Sequence, residues 1–115
     1  MKIEQTPRED HQMSVTVELD ADRMEAARRK AARRISEKTK IPGFRPGKAP
    51  YDVVRRYYGD GAITEEAIEL LVDETYPAML KETGIEPAAA GQLEDVVSLD
   101  PPTFKFLVPM RPTAD

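Results

Sequence analysis

No cysteine and no tryptophan occur in this sequence, and histidine occurs once. Without thiols there is no disulfide framework, no thiolate nucleophile and no cysteine-ligated metal site, a composition that suits a reducing, cytoplasmic setting. The lone histidine, His11, falls in a predicted turn beside Glu9 and Asp10, with no second imidazole to complete a metal or acid–base site. Ser14, Ser36 and Ser98 lack both a glycine-rich elbow and a paired base. The carboxylates Glu65, Glu66, Glu69, Asp73 and Glu74 recur along one helical stretch and read as a solvated face. No catalytic residue, metal or cofactor is therefore expected. No apolar run approaches the roughly 20 residues that a membrane-spanning helix needs, so no membrane partner is expected either. The opening Met1-Lys2-Ile3-Glu4-Gln5 lacks the charged-then-apolar pattern of a secretory signal.

What is present is charge, unevenly placed. The net charge of −4 hides a block at residues 23–48 with ten bases against two acids, and a stretch at 60–100 with one base against eleven acids. The basic block contains Arg28, Arg29, Arg33, Arg34, Lys38 and Lys40. A chain so polarised has a dipolar surface, and the block is a candidate footprint for a polyanion; the plainer reading is a solvated helix face. A length of 115 residues suits one domain, residues 1–115, able to bury roughly two thirds of its unfolded surface.

Residues 13–19 alternate with period two, Met13, Val15, Val17 and Leu19 facing one way, which predicts a half-buried strand. Lys2 to Thr6 forms a shorter strand, with a turn at Pro7 to Asp10 completing a hairpin. Asp20 and Asp22 offer N-terminal charge to a helix reaching about Lys40, whose narrow stripe is Met24, Ala27, Ala31 and Ile35. Three prolines and two glycines between Ile41 and Pro50 end that helix. A short helix from Tyr51 to Tyr58 follows, closed by Gly59. A longer helix from about Ile63 carries Ala67, Ile68, Leu71, Val72, Thr75 and Met79 on one side. Pro77 should kink or split it near Asp73, and Gly84 should stop it. Gln92 to Leu99 and Thr103 to Val108 read as strands, the latter alternating Phe104, Phe106 and Val108 against Lys105 and Leu107. The expected fold is α+β: a largely antiparallel sheet of about four strands, with three helices inserted between the strand pairs. The tail from Pro109 to Asp115 has no closing element and reads as a cut in a longer protein.

The segment Gly43-Phe44-Arg45-Pro46-Gly47-Lys48-Ala49-Pro50 matches the G-F-R-x-G-x-x-P signature of the trigger factor ribosome-binding loop. Its context resembles that family over essentially the whole chain: a strand, a basic helix, the loop, a short helix with Tyr57-Tyr58-Gly59, and a long helix ending near Gly84-Ile85-Glu86-Pro87. Many members resemble G-F-R-K-G-K here, so Pro46 replaces a basic residue and stiffens the backbone. The resemblance implies a ribosome-binding domain whose loop residues Gly43, Phe44, Arg45, Pro46, Gly47 and Lys48 dock a chaperone on the large ribosomal subunit. The partners it implies are the protein at the exit-tunnel rim, adjacent rRNA and the nascent polypeptide. Arg28, Arg29, Arg33, Arg34, Lys38 and Lys40 are the candidate rRNA contacts. It implies a cytoplasmic, ribosome-associated protein, with homodimerisation left open. The family's peptidyl-prolyl isomerase and C-terminal chaperone domains are expected in the parent protein and not in these residues, so this segment is expected not to be an enzyme.

Bottom-up, glycines that allow φ > 0 and prolines that lock φ predict a shaped loop tip. On such a tip Phe44 costs little entropy to immobilise and Arg45 can fork onto a carboxylate or phosphate. The competing structural reading is an interhelix turn whose Phe44 plugs the core. A competing function is a small stand-alone RNA-binding protein using the basic helix 23–40. Tyr51, Tyr57 and Tyr58 could stack on its bases, although tyrosines so placed more often pack between helices.

Overall fold

The computed structural model describes residues 1–112. Its elements are β1 (Lys2–Arg8), β2 (Gln12–Glu18), α1 (Asp22–Lys38), α2 (Tyr51–Thr83), β3 (Gln92–Leu99) and β4 (Pro102–Pro109). The four strands form one antiparallel sheet in the order β1-β2-β4-β3. The chain separates into a sheet unit, residues 1–21 with the chain from Val72 on, and a helical unit, Asp22–Leu71.

In the sheet unit the period-two patterns set the core. Val15 opposes Phe106 and Val17 opposes Phe104 across β2 and β4, and all four are at most 1% exposed. Leu19 and Val108 join them, whereas Met13 is only half-buried. The α2 residues Thr75 and Met79 are buried as well, and the Tyr76 ring meets Phe106 edge-on at 5.5 Å. Such an aromatic pair contributes about 0.5–1.5 kcal/mol beyond its buried area. β1 and β3 are the sheet's edges. β3 shifts register between Leu93 and Asp95 and again between Val96 and Ser98. Glu94 on this edge receives Lys105 and Arg8 at 3.3 and 3.2 Å.

In the helical unit the narrow alanine stripe of α1 is the packing surface: Met24, Ala27, Ala31, Ala32 and Ser36 are buried, while Ile35 is half-buried. Small side chains permit close approach of a neighbouring helix, and Val54, Ile63, Ala67 and Leu71 of α2 are buried in the same unit. Asp22 and Glu25 in the first turn and Lys38 in the last complement the helix dipole.

The helix count differs from expectation: among the described residues there are two helices, not three. The segments expected at 51–58 and from 63 onward are one element, α2, broken only at Gly59, where φ is 85° and ψ 162°. A single left-handed glycine turns the chain without an intervening loop, so helix resumes at once. Pro77, expected to kink or split the helix, lies within it at helical dihedrals, with its ring exposed. Gly84 ends α2 as expected, at φ 72° with its N–H on Leu80 O at 2.9 Å.

Candidate functional site

The linker between α1 and α2 is built from two consecutive turns of the same design. In Ile41-Pro42-Gly43-Phe44 the Phe44 N–H donates to Ile41 O at 3.1 Å, and in Arg45-Pro46-Gly47-Lys48 the Lys48 N–H donates to Arg45 O at 3.0 Å. Each turn has proline second and glycine third, with φ of 87° at Gly43 and 79° at Gly47. That is the type II pattern: proline pre-sets the first central residue, and only glycine takes the positive φ of the second cheaply. Pro46 thus has a local conformational role, setting φ at the first central residue of the second turn.

Both ends of the linker are fixed. Ile41 is 3% exposed and roots the first turn. The Ser36 hydroxyl, buried on α1, accepts the N–H of Gly47 at 3.1 Å and of Ala49 at 3.3 Å. Pro50 O then accepts from Val53 and Val54, starting α2. Between these anchors Phe44 remains 40% exposed, so it does not plug the core, and Arg45 is exposed beside it.

The candidate bases of α1 and of the linker divide into two sets. Arg34 Nε and Lys38 Nζ lie 3.3 and 3.0 Å from Glu66 Oε1 on α2, and Arg28 Nη1 donates to Thr64 Oγ1 at 2.8 Å. Arg29 lies 3.4 Å from Glu25 and places its guanidinium 6.0 Å from the centre of the Tyr51 ring. These four side chains have intramolecular work. Arg33, Lys40, Arg45 and Lys48 are exposed and have no ion pair among the described residues. A groove of about 620 Å³ gathers Arg29, Arg33, Glu37, Lys48 and Tyr51 around the Pro46–Pro50 backbone. Candidate loop and helix residues therefore share one surface, although half of the basic helix positions are tied to α2.

The family model described as bacterial trigger factor protein (TF) matches residues 1–115. The chain belongs to the bacterial trigger factor family. It is 45% identical over 102 residues to a trigger factor of Roseiflexus sp., covering 88% of this chain and 19% of that protein. To that of Thermus thermophilus it is 40% identical over 86 residues, 75% of this chain and 21% of the other. It spans about a fifth of the length of these relatives. Among solved structures, a trigger factor chaperone studied for promiscuous substrate recognition superposes with TM-score 0.73 at 23% identity, over 94% of this chain and 25% of that one. A trigger factor structure from Thermotoga maritima superposes at TM-score 0.61 and 25% identity, over 85% of this chain and 91% of the other. The α+β fold with its four-stranded antiparallel sheet is thus that of trigger factor.

Ser36 and Glu66 have roles that their local sequence does not announce. Ser36 sits one helical step beyond Ala32 on the buried stripe, and a small hydroxyl among packing alanines is the signal that could have found it. Glu66 was assigned to a solvated acidic face, yet its side chain is only 14% exposed between two cations. The rest of that row, Glu65, Glu69, Asp73 and Glu74, is exposed. Among the described residues no three His, Asp or Glu side chains group so as to hold a metal ion, and no helix is long and apolar enough to cross a membrane.

Proposed function

We propose that this chain docks a trigger factor at the polypeptide exit tunnel of the large ribosomal subunit through Gly43-Phe44-Arg45, so that nascent chains are received as they emerge. The observation that carries this reading is the exposed Phe44 presented between two hydrogen-bonded turns. An aromatic held outward on a pre-shaped loop loses little entropy on docking, and desolvating it against a complementary pocket gives an interface anchor. Arg45 beside it supplies the charged, directional contact to the protein at the tunnel rim. Lys48 extends the same surface. Arg33 on α1 and Lys40 just beyond its end, without an ion pair among the described residues, are the foremost rRNA contacts, with Arg28, Arg29, Arg34 and Lys38 in a supporting place behind them.

The parent protein would then be cytoplasmic and ribosome-associated, and would hold its isomerase and C-terminal chaperone parts outside these residues. A stand-alone RNA-binding protein relying on the helix bases is the weaker reading. Arg28, Arg29, Arg34 and Lys38 already bond within the helical unit. Co-sedimentation with 70S ribosomes separates the two: the double substitution Phe44→Ala and Arg45→Ala should remove binding while the fold persists. Undiminished binding by that variant would rule out the loop as the anchor.

A further inference from the structure

The sequence leaves two readings for Tyr57 and Tyr58, packing between helices or stacking on bases, and packing is not what the structure adopts. Tyr57 is 55% exposed and Tyr58 38%. The kink at Gly59 follows them directly, so the chain turns at the rings before helix resumes. Their centroids are 6.1 Å apart and their planes are inclined by 42°, so the two rings do not stack face to face on each other. The preceding residues, Arg55 and Arg56, are exposed and make no ion pair among the described residues. The helical unit that carries them holds twelve bases and eight acids.

We infer that Arg55, Arg56, Tyr57 and Tyr58 form a stacking platform for a single-stranded RNA segment. The composition selects this occupant. Around the rings the sequence is Arg55-Arg56-Tyr57-Tyr58-Gly59-Asp60-Gly61, with only the half-buried Val53 and Ala62 as partly exposed aliphatic residues a turn away, too little to build the apolar surround of a peptide pocket. Ring faces beside guanidinium groups instead suit unpaired bases on a phosphate backbone: the bases stack irrespective of sequence and the arginines meet the phosphates. Asp60 borders the platform and limits its charge, so ring stacking and not charge alone supplies the affinity. The platform lies outside the loop that carries the docking proposal and rests on that proposal only for the source of the RNA, which on a ribosome would be unpaired rRNA.

The probe is a fluorescein-labelled oligouridine decamer, followed by anisotropy and by quenching of the protein's own tyrosine emission, which no tryptophan obscures. The wild-type chain should bind with quenching. Tyr57→Ala with Tyr58→Ala should weaken binding about tenfold or more, the scale of losing base–aromatic stacks. Tyr57→Phe with Tyr58→Phe should retain it, because the faces remain. Arg55→Gln with Arg56→Gln should weaken binding and flatten its salt dependence. Loop docking is read by ribosome co-sedimentation of Phe44→Ala with Arg45→Ala and the platform by oligouridine binding of the tyrosine variants, so failure of loop docking and failure of this platform read out separately. Circular dichroism melts confirm the fold, and Tyr57→Ala alone serves if the double alanine variant is unstable. The proposal is overturned if the wild type does not bind oligouridine, or if alanine at both rings leaves affinity intact. It is equally overturned if phenylalanine loses as much as alanine. Sedimentation velocity adds one more such outcome: self-association abolished by the alanine pair, without RNA binding, gives the rings to a second copy of the chain.

Discussion

The Ser36 hydroxyl and the Gly47 amide are 3.1 Å apart, although the two residues are eleven positions apart in the chain. Through this bond and its companion from Ala49, one buried side chain of α1 sets the position of the second turn.

Ser36→Ala should therefore do two things. It removes the acceptor of two part-buried N–H groups, a loss on the order of 1–2 kcal/mol by urea unfolding. It should also weaken ribosome binding although position 36 is 2% exposed and touches no partner. Gly47→Ala is expected to act in the same direction, since φ is 79° and a Cβ would come within 3.0 Å of the Glu37 side chain. Unchanged ribosome affinity in both variants would mean that the loop needs no support from α1.

Adjacent arginines should separate stability from docking. Arg34 pairs with Glu66 at 3.3 Å, so Arg34→Gln should lower stability, by up to about 1 kcal/mol for a part-exposed pair, and change docking little. Arg33 is exposed without such a partner among the described residues. Arg33→Gln should leave unfolding unchanged, slow association with ribosomes, and matter less at high salt, where screening shortens the reach of its charge. By contrast, the loss from Phe44→Ala with Arg45→Ala, about 2–4 kcal/mol on the scale of an interface anchor, should persist across salt. Titrating the variants at two ionic strengths reads both effects.

The exposed acids of α2 should face away from a ribosomal partner, because apposing them to phosphates is repulsive. Glu65→Lys with Glu69→Lys is expected to leave ribosome affinity unchanged or slightly raised. A marked loss with the fold intact would place that face in the interface. Glu66 does not belong in this experiment, since its carboxylate bridges Arg34 and Lys38.

How much of this was legible beforehand follows from the range of each interaction. Strands β2 and β4 were readable because period-two alternation is local, and Val17 and Phe104 do face the same core. The loop was readable because proline and glycine announce their own dihedrals. The helix count was not, because a glycine that ends a helix and one that only bends it look alike in sequence. The ion pairs of Arg34 and Lys38 were also hidden: Glu66 lies 28 residues from Lys38, beyond any helical period. Only packing α1 against α2 shows which bases are already engaged.

Acid should weaken the sheet edge in a defined way. The hydrogen bond from Lys105, aided by Arg8 and opposed by partial desolvation, holds the Glu94 carboxyl below its ordinary value of 4.5. A carboxylate whose folded value is depressed adds stability above its unfolded value and loses it as pH falls through the folded one. Melting temperatures of wild type and Glu94→Gln should therefore differ by a constant amount well above the ordinary value of 4.5, and the gap should narrow as pH falls below it. A gap that stays open in acid would assign Glu94 a role other than its charge.

The order β1-β2-β4-β3 leaves two strands with unpaired backbone groups, the usual template for runaway strand addition between molecules. Each edge carries a deterrent. Pro7 interrupts the donors of β1, and two register shifts together with Glu94 and Asp95 roughen β3. Straightening β3 or neutralising Asp95 would therefore tell first in shelf life, as concentrated solutions turned turbid, while the melting temperature still looked healthy.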